Sequence, residues 1–377
     1  LFKIYGEYKS YSYLTDGNGE RSWHTHHWQL YEEYQGEITP EKVERLLAVY
    51  APLVEATSDM TASTATDDPN TMTGNLYSDR NLLDKYFVQP MQYSYEYSGR
   101  SEQVANRARQ SAALYGERGA VYQQRESGAI YNLYAGRTIP AFAYREMCNY
   151  YLNYDFSIVL TLLLCLYGII GTFVSEKETQ MDMLLLVSPG GGRKTALAKI
   201  LAATLFLLLI SLWFSLLDLI GFAASFQTFE GLALPVFAIP NFAESSVNIS
   251  IFQYVLLSAA LKCAGTWVIG MLWLLVSMFW KNALLPFVMG LSLCMALTVS
   301  GAARAYSNFV WPKVLNPYSL LTNRVLLGKT EFVNLGGFPV LTWQAAIWFA
   351  LIAGLVLVAA IYFLSAENCH RCVRRAK

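Results

Sequence analysis

Several groups of residues in this chain are of types that could do chemistry. His24, His26 and His27, set between Trp23 and Trp28, offer imidazoles to a metal. Adjacent His26 and His27 point apart on a strand and diverge by about 100° on a helix, so one run does not complete a coordination shell. A solvated loop is the simpler reading. Cys369 and Cys372 form a Cys-x-x-Cys in a basic tail. Zinc would need two further ligands there, and a redox role would need thioredoxin-like surroundings. A tail lying against a membrane surface fits that composition better. Gly192-Arg193-Lys194-Thr195 imitates the end of a phosphate-binding loop. The pattern requires glycine where Ser188 and Arg193 stand, with a buried strand before it, so ATP binding by this chain is not expected. No catalytic residue, no metal site and no cofactor of its own is read from the sequence.

Asp218 and Lys262 are different, because each interrupts an otherwise apolar run. A charge inside a bilayer costs about 2.5 kcal/mol or more, so it faces a partner or a water-filled path. Counted from the run ends at 1.5 Å per residue, the two lie roughly 12 and 16 Å deep on antiparallel helices. The expectation is an intramembrane charged pair, either structural or part of a transport path.

The elements that position these residues are set by composition. Of 377 residues 54% are hydrophobic and only 15% charged, where a soluble domain carries about 25%. Residues 1–155 hold 20 acidic and 14 basic residues, a balance of −6, and residues 156–377 hold 8 and 14, a balance of +6. Twenty of the 25 tyrosines precede residue 156. The first part reads as a water-soluble domain and the second as a membrane domain. Uncharged or singly charged runs at about 156–174, 200–226, 251–280, 283–303 and 340–364 are each long enough to cross a hydrocarbon core of about 30 Å. The fold class expected is an all-α integral membrane protein, a polytopic helical bundle of five visible spans with a mainly helical extracytoplasmic domain.

Positive residues give the orientation. Lys177, Arg193, Lys194 and Lys199 follow the first run, Lys281 sits between the third and fourth, and Arg371, Arg374, Arg375 and Lys377 close the chain. The loop 227–250 has no Lys or Arg, whereas Arg304, Lys313, Arg324 and Lys329 break the pattern before the last run. The expectation is a multi-pass cell-membrane protein with a cytoplasmic C-terminus and residues 1–155 outside. An odd span count leaves nothing to carry that domain across, and the chain opens on Leu1, so a sixth, N-terminal span is expected before it.

Within residues 1–155, Thr39-Pro40-Glu41 predicts a helix start. Val43, Leu46, Leu47, Tyr50, Leu53 and Val54 follow at helical spacing, with a kink expected at Pro52. Residues 61–74 read as a loop and 101–124 as helix. Residues 144–154 are expected to run on into the first span. Tyr93-Ser94-Tyr95-Glu96-Tyr97 alternates like a strand but is too short to decide.

Between the first two runs lies Ser175 to Lys199, which leaves the membrane through Glu176 and Glu178 and continues with Met181, Leu184 and Leu185 at helical spacing. Pro189 and three glycines stop it before Arg193 and Lys199 lead into the next run. The pattern predicts a short amphipathic helix on the cytoplasmic face, able to enter a partner's groove or to lie at the interface.

This segment resembles the signature region of type-2 ABC exporter permeases. The family's Phe-x-x-Glu is matched by Phe173-Val-Ser-Glu176, and Pro189, Arg193 and Lys199 match the elements that follow. Leu315-Asn316-Pro317-Tyr318-Ser319-Leu320 matches an Asn-Pro pair the family carries before its last span. The resemblance covers roughly residues 145–365, and Gly190-Gly191-Gly192 departs from the usual pattern. It implies a six-helix permease subunit paired with a second permease copy or paralogue and with cytoplasmic ABC ATPase subunits, which would hold ATP and Mg. Glu176, Glu178, Met181, Leu184, Leu185, Pro189 and Arg193 would then couple to the ATPase. Membrane lipids are expected neighbours and nucleic acid is not. Two other readings remain: a mechanotransmission protein of the ABC superfamily, which would want four spans, and a membrane-anchored sensor, which would want a cytoplasmic signalling domain.

Overall fold

The computed structural model describes residues 29–58, 76–181, 193–226, 228–304 and 309–375. The protein is mostly helical, with five helices long and apolar enough to cross a membrane: Phe156–Glu178, Arg193–Phe226, Ile251–Ser277, Leu284–Gly301 and Thr342–Ser365. These are called the first to fifth spans. All five apolar runs read from the sequence correspond to them. The third ends earlier than read, at Ser277. The fifth starts at Thr342, because Phe338–Leu341 pairs as a strand with Phe332–Leu335.

The third span is the hub. It packs against the first, second and fifth. Gly270 lets Leu207 of the second span approach so closely that a Cβ would stand 2.3 Å from its Cδ1. Gly354 of the fifth span gives the same room to Trp267, whose indole N–H donates to Thr204 Oγ1 of the second at 3.2 Å. Glycine at such crossings serves close packing, which drives association where apolar side chains face equally apolar lipid. The fourth span is the opposite case, with only 11% of its apolar window buried against 56% for the first and third.

The polar part begins with a helix at 29–34 and continues with Pro40–Ala56. Thr39 caps the latter, its hydroxyl accepting from Lys42 N, with Pro40 in the first turn as the sequence predicts. The helix runs through Pro52 to Ala56. Leu76–Leu83 passes through a wider turn, Asp84–Val88, into the long helix Gln89–Glu117. Tyr93 to Tyr97 is therefore helical. Tyr93 and Tyr97, four apart, share a face, while Tyr95 is exposed.

Two sequence expectations are corrected here. The helix read over 101–124 is broken, with Gly119 at φ +68° and Ala120 N donating back to Tyr115 O at 2.9 Å, and Val121–Tyr134 begins anew. A left-handed glycine is the usual way to end a helix with its last carbonyls satisfied. Nor does 144–154 run into the first span. Glu146–Leu152 ends at Asn153, whose amide side chain donates to Asn149 O at 2.7 Å. Arg324 reaches over to Asn153 O and to Asp155, taking a carbonyl that a continuous helix would have bonded to residue 157.

Tyr31, Tyr34, Leu46, Phe87, Met91 and Phe142 build a core inside the polar part. A second cluster joins that part to the loops after the second and fourth spans, and a third lies among the spans. The loops at 228–250 and 309–341 thus gather with the polar part at one end of the bundle. The turns after the first and third spans meet at the other.

Candidate functional site

At the end of the bundle away from the polar part, three contacts converge on the last turn of the first span, Glu176 to Glu178. Glu176 pairs with Lys199 of the second span, and the Lys199 ammonium also stands 4.0 Å over the Phe173 ring. Lys177 donates to Met278 O, and Glu178 Oε1 accepts from Ala283 N at 3.0 Å, both in the turn joining the third and fourth spans. The apolar spans bring these residues together because each places its end at the same level. Met181 stands 53% exposed beyond them, and Arg193 is exposed at the re-entry point. Leu184, Leu185 and Pro189 lie outside the described residues, as do His24, His26 and His27. Two acids expected to face a partner are thus already engaged within the chain.

Inside the bundle, Asp218 and Lys262 share a polar cluster without direct contact. The Asp218 carboxylate accepts instead from the Ser157 hydroxyl at the start of the first span. Lys262 makes no hydrogen bond or ion pair among the described residues, and the acids whose charge reaches it are Asp218 and Asp155. It borders a small cavity with Ser157, Thr161, Ser211, Ser215 and Thr266. Asp155 is paired with Arg324. The charges thus alternate, Arg324, Asp155, Lys262, Asp218, and sum to zero, running from a partly exposed pair at the bundle's edge to two half-buried groups within it. Burial raises the Asp155 carboxyl above the ordinary aspartate value, with Arg324 acting against it. Sequence reasoning found Asp218 and Lys262, singled out Arg324 only as a cation against the charge pattern, and missed Ser157 and Asp155. A polar residue at the first turn of an apolar run was the available signal.

The Asn316-Pro317 pair has a definite place. Asn316 is buried, donates its amide to Leu297 O at 3.0 Å in the fourth span, and accepts from Tyr318 N at 3.0 Å. The second bond closes an Asx turn over Pro317, which leads into the short helix Tyr318–Thr322. Asn323 follows at φ +28°, a backbone region that asparagine tolerates better than most residues. Its side chain bridges the third span, accepting from the Tyr254 hydroxyl at 3.1 Å and donating to Ser258 Oγ at 2.7 Å. Gly265 leaves room for this segment, since a Cβ there would meet Pro317 O at 2.8 Å. Of the four cations that break the charge pattern, Lys313 is paired with Glu331 and Arg324 with Asp155.

The polar part is pinned to the loop after the second span by buried side chains. Arg145 donates to Ala238 O at 2.6 Å, and Arg137 to Ser245 O at 2.7 Å and Asn248 Oδ1 at 2.6 Å. Desolvation lowers Arg145 to about 10. The Tyr93 and Tyr97 hydroxyls donate to Phe237 O and Ala243 O, each at 2.8 Å, and the Tyr97 ring stacks on Phe237 at 5.0 Å. Tyr31 donates to Glu230 at 2.5 Å. Buried groups held this way brace a surface against a loop. Compared with known protein families and with curated proteins, the chain matches none of them.

Proposed function

We propose that this chain is the membrane-spanning permease subunit of an ATP-binding-cassette exporter, driven by a separate cytoplasmic ATPase. The observation that carries the reading is the anchored last turn of the first span, from which the signature segment leaves. Its sequence resembles the permease signature, and its contacts tie it to the second span and to the turn joining the third and fourth through Glu176, Lys177, Glu178 and Lys199. A partner docking on Met181 and the residues after it, with Arg193 beside them, would pass any displacement to those helices together. ATP and Mg would be held by the ATPase, and a second permease copy or paralogue would complete the path. In this reading the anchored end is cytoplasmic, and residues 1–155 are extracytoplasmic.

One observation favours a second reading, mechanotransmission. The polar part is braced to the loop after the second span by Arg137, Arg145, Tyr93 and Tyr97. Movement of the spans would be delivered to it rather than absorbed.

The test is affinity purification from membranes of the full-length protein, wild type beside Met181→Glu. Position 181 is exposed, so the substitution leaves the bundle intact. Co-purification of a nucleotide-binding ATPase with wild type, lost in the variant, is expected. A folded wild type that brings down no ATPase overturns both ABC readings.

A further inference from the structure

An open cavity of about 560 Å³ lies at the end of the bundle that carries the polar part. Its walls include Asn153 and Asp155 just before the first span, Thr298 near the end of the fourth, Asn241 from the loop after the second, and Arg324 and Lys329. Charge and position narrow what could fit. The ionisable wall is Arg324, Lys329 and one acid, Asp155, so it sums to one positive charge. The Arg324 side chain is 36% exposed. Its Nη1 donates to Asn153 O and Oδ1 at 3.4 and 3.3 Å and its Nη2 to Asp155, leaving Nε–H uncommitted among the described residues. Lys329 is exposed and makes no ion pair or hydrogen bond among the described residues. A guanidinium beside a free ammonium, with amides nearby, is an arrangement that holds a phosphate oxyanion.

The level of the cavity matters as much as its charge. Asp155 precedes Phe156, where the first apolar helix begins, and Thr298 stands one turn before Gly301, where the fourth apolar stretch ends. That is the depth of lipid headgroups at the edge of the hydrocarbon core. Only 11% of the fourth span's apolar window is buried and one face is exposed, so a chain lying along that face can reach the cavity sideways. A volume of this size suits a headgroup with its glycerol rather than a folded partner.

We propose that this cavity binds the phosphate of an acidic phospholipid, with Arg324 and Lys329 as its cationic contacts. The inference requires that the apolar helices lie in a bilayer, and it is independent of any ATPase. The shared chemistry is a phosphate ester, which a water-soluble phosphate could also supply.

The experiment is native mass spectrometry of the full chain released from micelles doped equally with phosphatidylglycerol and phosphatidylcholine. Wild type is compared with Lys329→Glu, and with Lys281→Glu, an exposed position at the opposite end. Expected is preferential retention of phosphatidylglycerol by wild type, reduced about fivefold or more in Lys329→Glu and unchanged in Lys281→Glu. Equal retention of the two lipids by wild type, or equal loss in both variants, overturns the site. Displacement of phosphatidylglycerol by an equal concentration of glycerol phosphate would assign the cavity to a soluble phosphate ester and overturn the lipid. Loss of ATPase co-purification would leave this result untouched, so the two proposals fail separately.

Discussion

Removing the Glu331 carboxylate strands a buried ammonium. The Lys313 side chain is 3% exposed, and its Nζ lies 2.7 and 2.8 Å from the two Glu331 oxygens, themselves on a side chain 23% exposed. Breaking a fully buried pair from one side costs about 3–5 kcal/mol, because the remaining charge keeps its desolvation without its partner. Glu331 retains some water, which places Glu331→Gln near the lower end, about 3 kcal/mol. The reverse change, Lys313→Met, leaves the acid its water and keeps the apolar stem packed, so about 1 kcal/mol is expected. The double variant Lys313→Met/Glu331→Gln should return close to the Lys313→Met value. The assay is the unfolding midpoint in a fixed mild detergent with a graded denaturing detergent, converted to free energy across the four-member cycle. Equal costs for the two single variants, or a double variant as costly as both together, would refute the argument that burial of the ammonium sets the cost.

Other outcomes follow from the same geometry. Gly265→Ala should destabilise by about 1–3 kcal/mol, since its Cβ would stand 2.2 Å from Leu321 Cδ1 and 2.8 Å from Pro317 O, as overpacking does elsewhere. Gly171→Ala, where nothing lies within 4 Å, should be neutral or slightly stabilising in the same unfolding assay. The Cys148 thiol is buried and pushed up to about 12. In a variant retaining Cys148 alone, alkylation at pH 8 should proceed with roughly one thiolate in 10⁴ and rise about tenfold per pH unit, because the thiolate is the nucleophile. Mass spectrometry of the folded and denatured protein checks this. Tyr31→Phe removes the hydroxyl that donates to Glu230 and accepts from Tyr144 N at 3.0 Å. It should cost about 1–3 kcal/mol and raise protease cleavage within residues 29–58, read as limited-digestion rates.

The spans were legible because crossing a bilayer needs a length of apolar chain that little else in a protein requires. The Thr39 cap was legible because it is local. What escaped was set by partners far along the chain. The break at Asn153 and Asp155 depends on Arg324, 171 and 169 residues away, and no local pattern announces it. The alternation of Tyr93, Tyr95 and Tyr97 looked like a strand, yet two of those rings are placed by carbonyls at 237 and 243. For Asp218 the depth estimate found a plausible cation, but a hydroxyl at position 157 lies closer. Spacing along two helices gives their depths and not their rotation, and rotation chose the partner.

The third span also bears on how the chain enters a membrane in the first place. It carries Lys262 near its middle, and more than half of its apolar window is covered by protein. Insertion machinery that sorts segments by their preference for lipid meets a lysine there, at about 2.5–3.5 kcal/mol against entry when central. The second span, which precedes it, is strongly apolar, brings Asp218, and packs along it. The central helix is therefore expected to partition poorly by itself and to enter together with the second as a hairpin. The thinly covered fourth and fifth helices can follow one at a time. The expected order of biogenesis thus follows from which helix can stand in lipid without its neighbours.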